Sequence, residues 1–151
     1  MSVAIIDYGV GNLFSLASSL HYLGVDAKVT AKAADLQAAD RLILPGVGAF
    51  GDAAAKLRES GLFEVVRQQA AAGKPLLGIC LGMQLLFDKS LEYGEHAGLG
   101  LIGGTVEALQ PDLSAYASTE SSFGLKVPHI GWNSLHILRD DPLFRYFKDG
   151  E

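Results

Sequence analysis

The chain has 151 residues, of which 49% are hydrophobic and 19% charged, a composition typical of one folded domain with a sizeable core rather than a disordered segment. The formal net charge of −5 argues against a surface that binds nucleic acid or anionic membranes. A single cysteine excludes an internal disulfide, and we therefore predict a cytoplasmic protein. The first residues lack the basic region of a signal peptide, and no apolar stretch is long enough to span a bilayer.

The first half of the chain alternates between apolar, strand-like runs and helix-like segments. Strands are predicted at residues 3–6, 25–29 and 41–44, and a fourth opens at Pro75 and leads to Cys80. Helices are predicted at residues 13–24, 52–72 and 81–88. This alternation indicates βαβ units, and hence an α/β fold of flavodoxin-like type with a doubly wound, mostly parallel sheet and helices on both faces. In such sheets the chemistry gathers at the carboxyl ends of the strands.

After Leu99 the regular alternation of strand-like and helix-like segments stops. Residues 100–109 are predicted to be β structure, residues 126–135 strand and turn, and residues 143–147 one helical turn. A polar, serine-rich loop is predicted over residues 111–124. Since the chain has no internal repeat and no domain linker, we predict a single domain over residues 1–151.

The only cysteine, Cys80, stands between a strand-like run and a helix-like run, with Gly78 and Gly82 two residues away on either side. This is the G-x-nucleophile-x-G pattern of a nucleophile elbow, with Cys in place of Ser. The sharp turn exposes the side chain at a helix N-terminus, which favours the thiolate, and a Cβ at either glycine would collide with neighbouring segments. We predict that Cys80 is a nucleophile. The alternative is that it is a small buried hydrophobic residue.

Two further glycine loops, residues 9–11 and 46–48, follow predicted strands. The first lacks the third glycine of a dinucleotide-binding fingerprint, which favours a tight turn as its interpretation. The second can direct backbone N–H groups at a developing oxyanion if it lies beside a nucleophile. The four histidines are His21, His96, His129 and His136. Their spacing is not that of metal ligands, and neither a metal nor a cofactor is predicted.

These segments together resemble the class I (triad) glutamine amidotransferases, and within them the glutaminase subunits of imidazole glycerol phosphate synthases of histidine biosynthesis. The segments that carry the resemblance are residues 5–12, 44–50, 75–84 and 126–133. The cysteine elbow marks the whole superfamily. The Pro-Gly-Val-Gly and Val-Pro-His-x-Gly-Trp-Asn segments narrow the resemblance to this subunit. It covers the chain from the first strand to about Asn133.

The resemblance implies a reaction and a set of site residues. In that family a cysteine thiolate attacks the side-chain amide of glutamine, releases ammonia and leaves a glutamyl thioester that water hydrolyses to glutamate. Carried over, Cys80 is the catalytic nucleophile, and Gln84 helps to bind the glutamine. The residues that the resemblance assigns to the oxyanion hole are Gly46, Val47, Gly48 and Leu81, the last through its backbone N–H.

The resemblance also implies a partner. Asn12 and Trp132 look like contacts to a synthase subunit, a (β/α)₈ barrel that would form a heterodimer with this chain. That subunit would receive the ammonia and use it to make imidazole glycerol phosphate.

One part of the family's pattern is missing. The family supplies its general base and orienting acid as a His-x-Glu pair on a late strand, and this sequence has no His-x-Glu. We expect the 151 residues to be the N-terminal part of a longer domain; the other explanation is a naturally short, catalytically incomplete form. The chain alone is expected to hydrolyse glutamine negligibly. If it were active, another histidine, His129 or His96, would have to serve as the base.

Two other functions remain open on the sequence alone. The first is an inactive scaffold that docks on the synthase barrel. The second is a stand-alone thiol sensor or hydrolase of related fold, a class that commonly has an acid near the cysteine elbow. Asp7 and Glu64 are the acids that the sequence offers for that role.

Overall fold

The structure is a computed structural model that describes residues 1–109 and 130–151. Residues Met1–Ala108 form one compact unit, and Leu109–Glu151 form a second. The strands of the first unit are β1 (Val3–Ile6), β2 (Ala27–Thr30), β3 (Arg41–Gly46), β4 (Leu76–Cys80), β5 (Phe87–Ser90), β6 (His96–Ala97) and β7 (Ile102–Val106). Its helices are α1 (Leu13–Tyr22), α2 (Ala33–Ala38), α3 (Phe50–Glu59), α4 (Leu62–Ala71) and α5 (Leu81–Gln84). The organisation of the whole chain as one domain stays a prediction.

The centre of the first unit is a four-stranded parallel sheet with the strand order β2-β1-β3-β4. The chain steps outward from β1 to β2 and then back across β1 to β3. Because crossovers between parallel strands are right-handed, this reversal places α1 on one face of the sheet and α2, α3 and α4 on the other. The predicted doubly wound α/β fold is confirmed. The reversal also makes the carboxyl ends of β1 and β3 the expected place for a binding site.

The hydrophobic core lies between the sheet and α2, α3 and α4. Alternate residues of β1 and β3 supply the sheet side of the core, and large side chains of the helices fill the other side. The largest fully buried helical side chains there are Leu36, Phe50, Leu57, Leu62 and Val66. Each of them stabilises the fold by about 1.5–3 kcal/mol relative to an exposed position. This packing makes the ends of β1 and β3 a rigid support for the loops that follow them.

The other face of the sheet is less well covered. Helix α1, which lies there, has no buried residue. Strand β4 is at the edge of the sheet in the described part of the chain, and its Leu77 and Ile79 are 49% and 37% exposed. On this face β4 therefore exposes apolar side chains.

The predicted helix over residues 52–72 is wrong in one respect, because two helices occupy this region. Helix α3 begins at Phe50 and ends at Glu59, and α4 begins at Leu62. Gly61 lies between them with φ +74°, a left-handed conformation that ends the first helix and starts the second. The six-residue α2 was not predicted, since so short a segment shows no helical period.

The predicted helix over residues 81–88 is also wrong beyond its first turn. Helix α5 ends at Gln84, and Phe87–Ser90 forms β5. Strand β5 pairs in parallel with β7 and antiparallel with β6 in a second, three-stranded sheet. Pairing with distant strands overrides the local preference of this segment for helix. Strand β7 confirms the β structure predicted within residues 100–109.

In the second unit, a 3-10 turn at Pro142–Phe144 replaces the helical turn predicted at residues 143–147, and Asp141 caps it by accepting the Leu143 N–H at 2.9 Å. Residues 130–135 are irregular, so the predicted strand is wrong there. Residues 126–129 and the predicted loop at 111–124 lie outside the described residues. Among the described residues, no helix has the length and apolar character needed to cross a membrane.

Lys74 stabilises the end of α2 and provides a test of the fold. Its ammonium donates to the carbonyl oxygens of Leu36 and Gln37, each at 2.7 Å. Since charged donors form the stronger hydrogen bonds and the last carbonyls of a helix have no partner within it, Lys74→Met is expected to lower the free energy of unfolding by about 1–3 kcal/mol in urea denaturation. Lys56→Met, on the exposed side of α3, is the matched control and should change it by less than about 0.5 kcal/mol. Equal effects of the two substitutions would contradict this role of Lys74.

Candidate active site

Cys80 occupies a sharp turn between β4 and α5. It is the last residue of β4, its side chain is exposed, and its backbone has φ +56° and ψ −120°. A non-glycine residue with positive φ is strained and persists only where the surroundings impose it. The interpretation of Cys80 as a buried hydrophobic residue is wrong, because the thiol faces solvent.

The two glycines of the elbow are required by close backbone contacts. A Cβ on Gly82 would lie 1.9 Å from the carbonyl oxygen of Leu44, and a Cβ on Gly78 would lie 2.5 Å from the Cα of Met83. Neither contact can be relieved by a side-chain movement, since both involve backbone atoms. The start of α5 therefore lies directly against the end of β3, and this contact forces the turn at Cys80.

The loop of residues 46–48, called here the oxyanion loop after its predicted role, begins beside the cysteine. Gly46 pairs with Cys80 in the register of β3 and β4. A Cβ on Gly46 would lie 2.5 Å from the backbone nitrogen of Gly82, so this position is also packed against the elbow. Val47 is 53% exposed, and Gly48 has φ +90° with open space around it. The loop is thus fixed at its first residue and free at the next two.

Leu81 and Gln84 form the first and last residues of α5. Leu81 is buried, and its N–H is one of the first N–H groups of the helix, which have no partner within it. Gln84 is half-buried one turn later. Because α5 has only four residues, few peptides are aligned in it. An anion at Cys80 would therefore depend on individual N–H groups rather than on the dipole of a long helix.

Two contacts that the sequence did not reveal hold the oxyanion loop at its ends. The Tyr8 hydroxyl donates to the carbonyl oxygen of Pro45 at 2.7 Å, in a buried position. Burial raises the pKa of Tyr8 to about 12, so the hydroxyl keeps its proton at any ordinary pH. Beyond the loop, the Phe50 N–H donates to Glu92 Oε2 at 2.6 Å, which supplies the cap that Ala49 does not. Tyr8 is visible in the sequence as an aromatic residue two positions after the end of β1, whereas nothing local points to Glu92.

The three glycine loops predicted to converge lie together. The elbow touches Gly46, as described above. The loop of residues 9–11 faces Val47 and Gly48 across a cleft of about 390 Å³, which Asp52 and Lys56 of α3 also line. A Cβ on Gly11, whose φ is +119°, would lie 3.1 Å from the Cβ of Pro45. The carboxyl ends of β1, β3 and β4 therefore lie side by side, with the cleft between the first two and the elbow next to the third.

The two residues predicted to contact a partner are both exposed. Asn12 is the N-cap of α1, where its side-chain oxygen accepts the Ser15 N–H at 3.2 Å. Asn12 therefore has a structural role that needs no partner. Trp132 belongs to the second unit and is fully exposed there. The partner contacts stay a prediction.

The acids and histidines that the sequence offered for catalysis are engaged in other contacts or lie outside the described residues. Asp7 accepts the Gly9 N–H at 3.1 Å and shapes the turn after β1, and Glu64 pairs with Arg67 on the surface of α4. The ring of His96 lies against α3, where a Cβ on Gly51 would come within 2.7 Å of it. His129 lies outside the described residues. In the described part of the chain, no group of three or more His, Cys, Asp or Glu side chains is arranged to hold a metal ion.

Comparison with known proteins identifies the family. The family model "Glutamine amidotransferase class-I" matches residues 4–149. The chain belongs to this family. It is 46% identical over 148 residues to the imidazole glycerol phosphate synthase subunit HisH of Wolinella succinogenes, covering 98% of this chain and 69% of that protein. It is 50% identical over 141 residues to the HisH subunit of Lactiplantibacillus plantarum, covering 93% of this chain and 63% of that protein.

Solved structures agree with the amidotransferase fold. A crystal structure of a glutamine amidotransferase superposes with a TM-score of 0.60 at 29% identity and covers 70% of this chain and 55% of that one. A putative peptidase E protein from Listeria monocytogenes superposes with a TM-score of 0.56 at 16% identity, and covers 67% of this chain and 62% of that one. At this low identity the similarity concerns only the fold. The chain thus spans about two thirds of the HisH relatives that it matches.

The strained backbone at Cys80 should affect the stability of variants at this position. Because glycine adopts positive φ without cost, Cys80→Gly should be more stable to urea than Cys80→Ala by about 1–2 kcal/mol. Ala55 on the exposed side of α3 is the matched control, since Ala55→Gly should lower stability by about 1 kcal/mol. An alanine variant at Cys80 as stable as the glycine variant would show that the elbow is not strained.

Proposed function

We propose that this chain is the glutaminase subunit of an imidazole glycerol phosphate synthase. It would hydrolyse glutamine to glutamate and ammonia through a thioester on Cys80 and pass the ammonia to a (β/α)₈ synthase subunit. The observation that carries the proposal is the exposed Cys80, held with strained backbone beside the oxyanion loop. The similarity to HisH subunits, 46% and 50% identical to this chain, supports the choice of substrate and partner.

The first step is the addition of sulfur to the glutamine side chain. The Cys80 thiolate attacks the carbonyl carbon of the side-chain amide, a C–S bond forms, and an electron pair moves onto the oxygen. The N–H of Leu81 and an N–H of the oxyanion loop would donate to this oxygen, and Gln84, the last residue of α5, would contribute to substrate binding. Removing one such donor in comparable enzymes costs about 2.7–4 kcal/mol of transition-state stabilisation.

The second step expels ammonia and regenerates the thiol. The tetrahedral intermediate collapses, the C–N bond breaks, and the departing nitrogen takes a proton and leaves as ammonia, so that a glutamyl thioester remains on Cys80. In the hydrolysis that follows, water adds to the thioester, the C–S bond breaks, the sulfur regains a proton, and glutamate leaves. These proton transfers need a general base, which the family supplies in a His-x-Glu pair that this sequence does not contain. The chain would thus provide the nucleophile and the oxyanion donors, and the base would come from a longer form of the domain.

The two alternatives have less support in the structure. A docking scaffold on the synthase is favoured by the missing His-x-Glu, but it has no need of a cysteine with strained backbone. A thiol sensor or hydrolase would need an acid near Cys80. Asp7 and Glu64 are engaged with Gly9 and Arg67, which argues against that role.

The test is labelling by the diazoketone analogue of L-glutamine, in which –CHN₂ replaces the amide –NH₂. The thiol displaces N₂ and forms a thioether, while the proton of the thiol goes to the carbon. In the presence of the synthase subunit, Cys80 should be labelled at one equivalent by mass, free glutamine should slow the reaction, and Cys80→Ser should prevent it.

Iodoacetamide, which needs a reactive thiol but no glutamine pocket, is the control reagent. Labelling by iodoacetamide alone would contradict the proposal and favour a sensor. Labelling by neither reagent would favour the scaffold.

A separate measurement tests the expectation about the missing base. Glutamate release by the purified 151-residue chain should be at least about 10³-fold slower than by a related subunit that carries His-x-Glu, since loss of a triad member typically has effects of this size or larger. Release at a rate similar to that of the related subunit would mean that another histidine of this chain serves as the base. His96→Ala and His129→Ala would then identify it.

A further inference from the structure

The start of the oxyanion loop is held by the strands on both sides of it. Strand β3 lies between β1 and β4, so its last residues have Tyr8 on one side and Cys80 on the other. On the β4 side, Gly46 lies against the backbone of the elbow. On the β1 side, the described pairing of β1 with β3 ends at Ile5 and Ile43. The Pro45 carbonyl lies beyond that last pair, and the Tyr8 hydroxyl binds it.

The hydrogen bond from Tyr8 is well placed to fix one peptide plane. Tyr8 is 4% exposed, and its hydroxyl lies 2.7 Å from the Pro45 oxygen. A peptide is planar and trans, so the direction of the Pro45 carbonyl sets the opposite direction of the Gly46 N–H. That peptide joins the last two residues of β3, and Gly46 is paired there with Cys80. Its orientation sets the direction in which the chain enters Val47 and Gly48.

The middle of the loop has no comparable contact. Val47 is half exposed and Gly48 has open space around its Cα. The next fixed point is the Phe50 N–H, which Glu92 accepts. The loop is thus a short flexible segment between two hydrogen-bonded ends. The bond at its start is the one nearer to Cys80.

We propose that Tyr8 is a positioning residue whose hydroxyl, by holding the Pro45 carbonyl, directs the N–H groups of the oxyanion loop towards the oxygen of a Cys80 adduct. This inference rests on the proposed function, since it assigns Tyr8 to the same acyl-transfer site. Tyr8 does not touch the reacting atoms. A purely structural role would instead confine its effect to the stability of the fold.

The variant Tyr8→Phe removes the hydroxyl and keeps the ring, and Tyr22→Phe, at a position that is 90% exposed, is the matched control. With the synthase subunit present, the rate constant kinact for labelling by the diazoketone should fall about fivefold to tenfold in Tyr8→Phe, the size expected for one lost hydrogen bond. The constant KI and the rate with iodoacetamide should stay within about twofold of the wild type, because neither depends on the oxyanion donors. A kinact within twofold of the wild type, or an equal fall with iodoacetamide, would overturn the proposal.

Amide hydrogen exchange of the same variants tests the role of Tyr8 without a labelling reaction. In Tyr8→Phe, exchange at the Gly46 and Val47 amides should become about fivefold to tenfold faster, while the Ile5 and Ile43 amides should exchange at nearly the wild-type rate. Unchanged exchange at Gly46 and Val47, or an equal increase at Ile5 and Ile43, would overturn the role of Tyr8. If the wild type were not labelled by the diazoketone, the proposed function would fail, and the exchange rates would still decide whether Tyr8 holds the loop.

Discussion

The close approach of α5 to the end of β3 is the contact on which the site depends. Gly82 lies so near the Leu44 carbonyl that a single Cβ would come within 1.9 Å of its oxygen, and a Cβ on Gly46 would lie 2.5 Å from the nitrogen of Gly82. Because two backbones meet here without side chains between them, the turn between β4 and α5 has to be sharp. Cys80 is forced to a φ of +56° with its thiol towards solvent. The strain, of order 1–3 kcal/mol, persists because the packed core beneath holds both segments.

The rest of the site combines rigid ends with a short flexible segment. Buried residues of β1 and β3 fix the strand ends, Tyr8 fixes the carbonyl of Pro45, and Glu92 fixes the N–H of Phe50. Between these points, Val47 and Gly48 are free to turn. The fixed ends limit the movement of the N–H groups between them, and donors that are already in place are the ones that stabilise an oxyanion most effectively.

Much of the fold could be predicted from the sequence, because β1, β3 and β4 are continuous apolar runs and the glycines on either side of Cys80 permit few other turns. The misassigned elements have specific causes. The helix predicted over residues 81–88 stops at Gln84 because residues 87–90 pair with β7, and the helix predicted over residues 52–72 is divided by one left-handed glycine, Gly61. The two contacts that hold the oxyanion loop join residues 37 and 42 positions apart. Neither has a local signature, since the identity of Tyr8 or Glu92 does not show which backbone group each will meet.

We propose that Cys80, Leu81 and the oxyanion loop form a single acyl-transfer site. The most direct test is a crystal structure of the chain, with its synthase subunit, after reaction with the diazoketone analogue of glutamine. We expect a thioether on Cys80 Sγ, with the ketone oxygen about 3 Å from the Leu81 nitrogen and from a backbone nitrogen of residues 46–48. A thioether whose ketone oxygen faces solvent, with residues 46–48 directed away from it, would show that these groups do not form one acyl-transfer site.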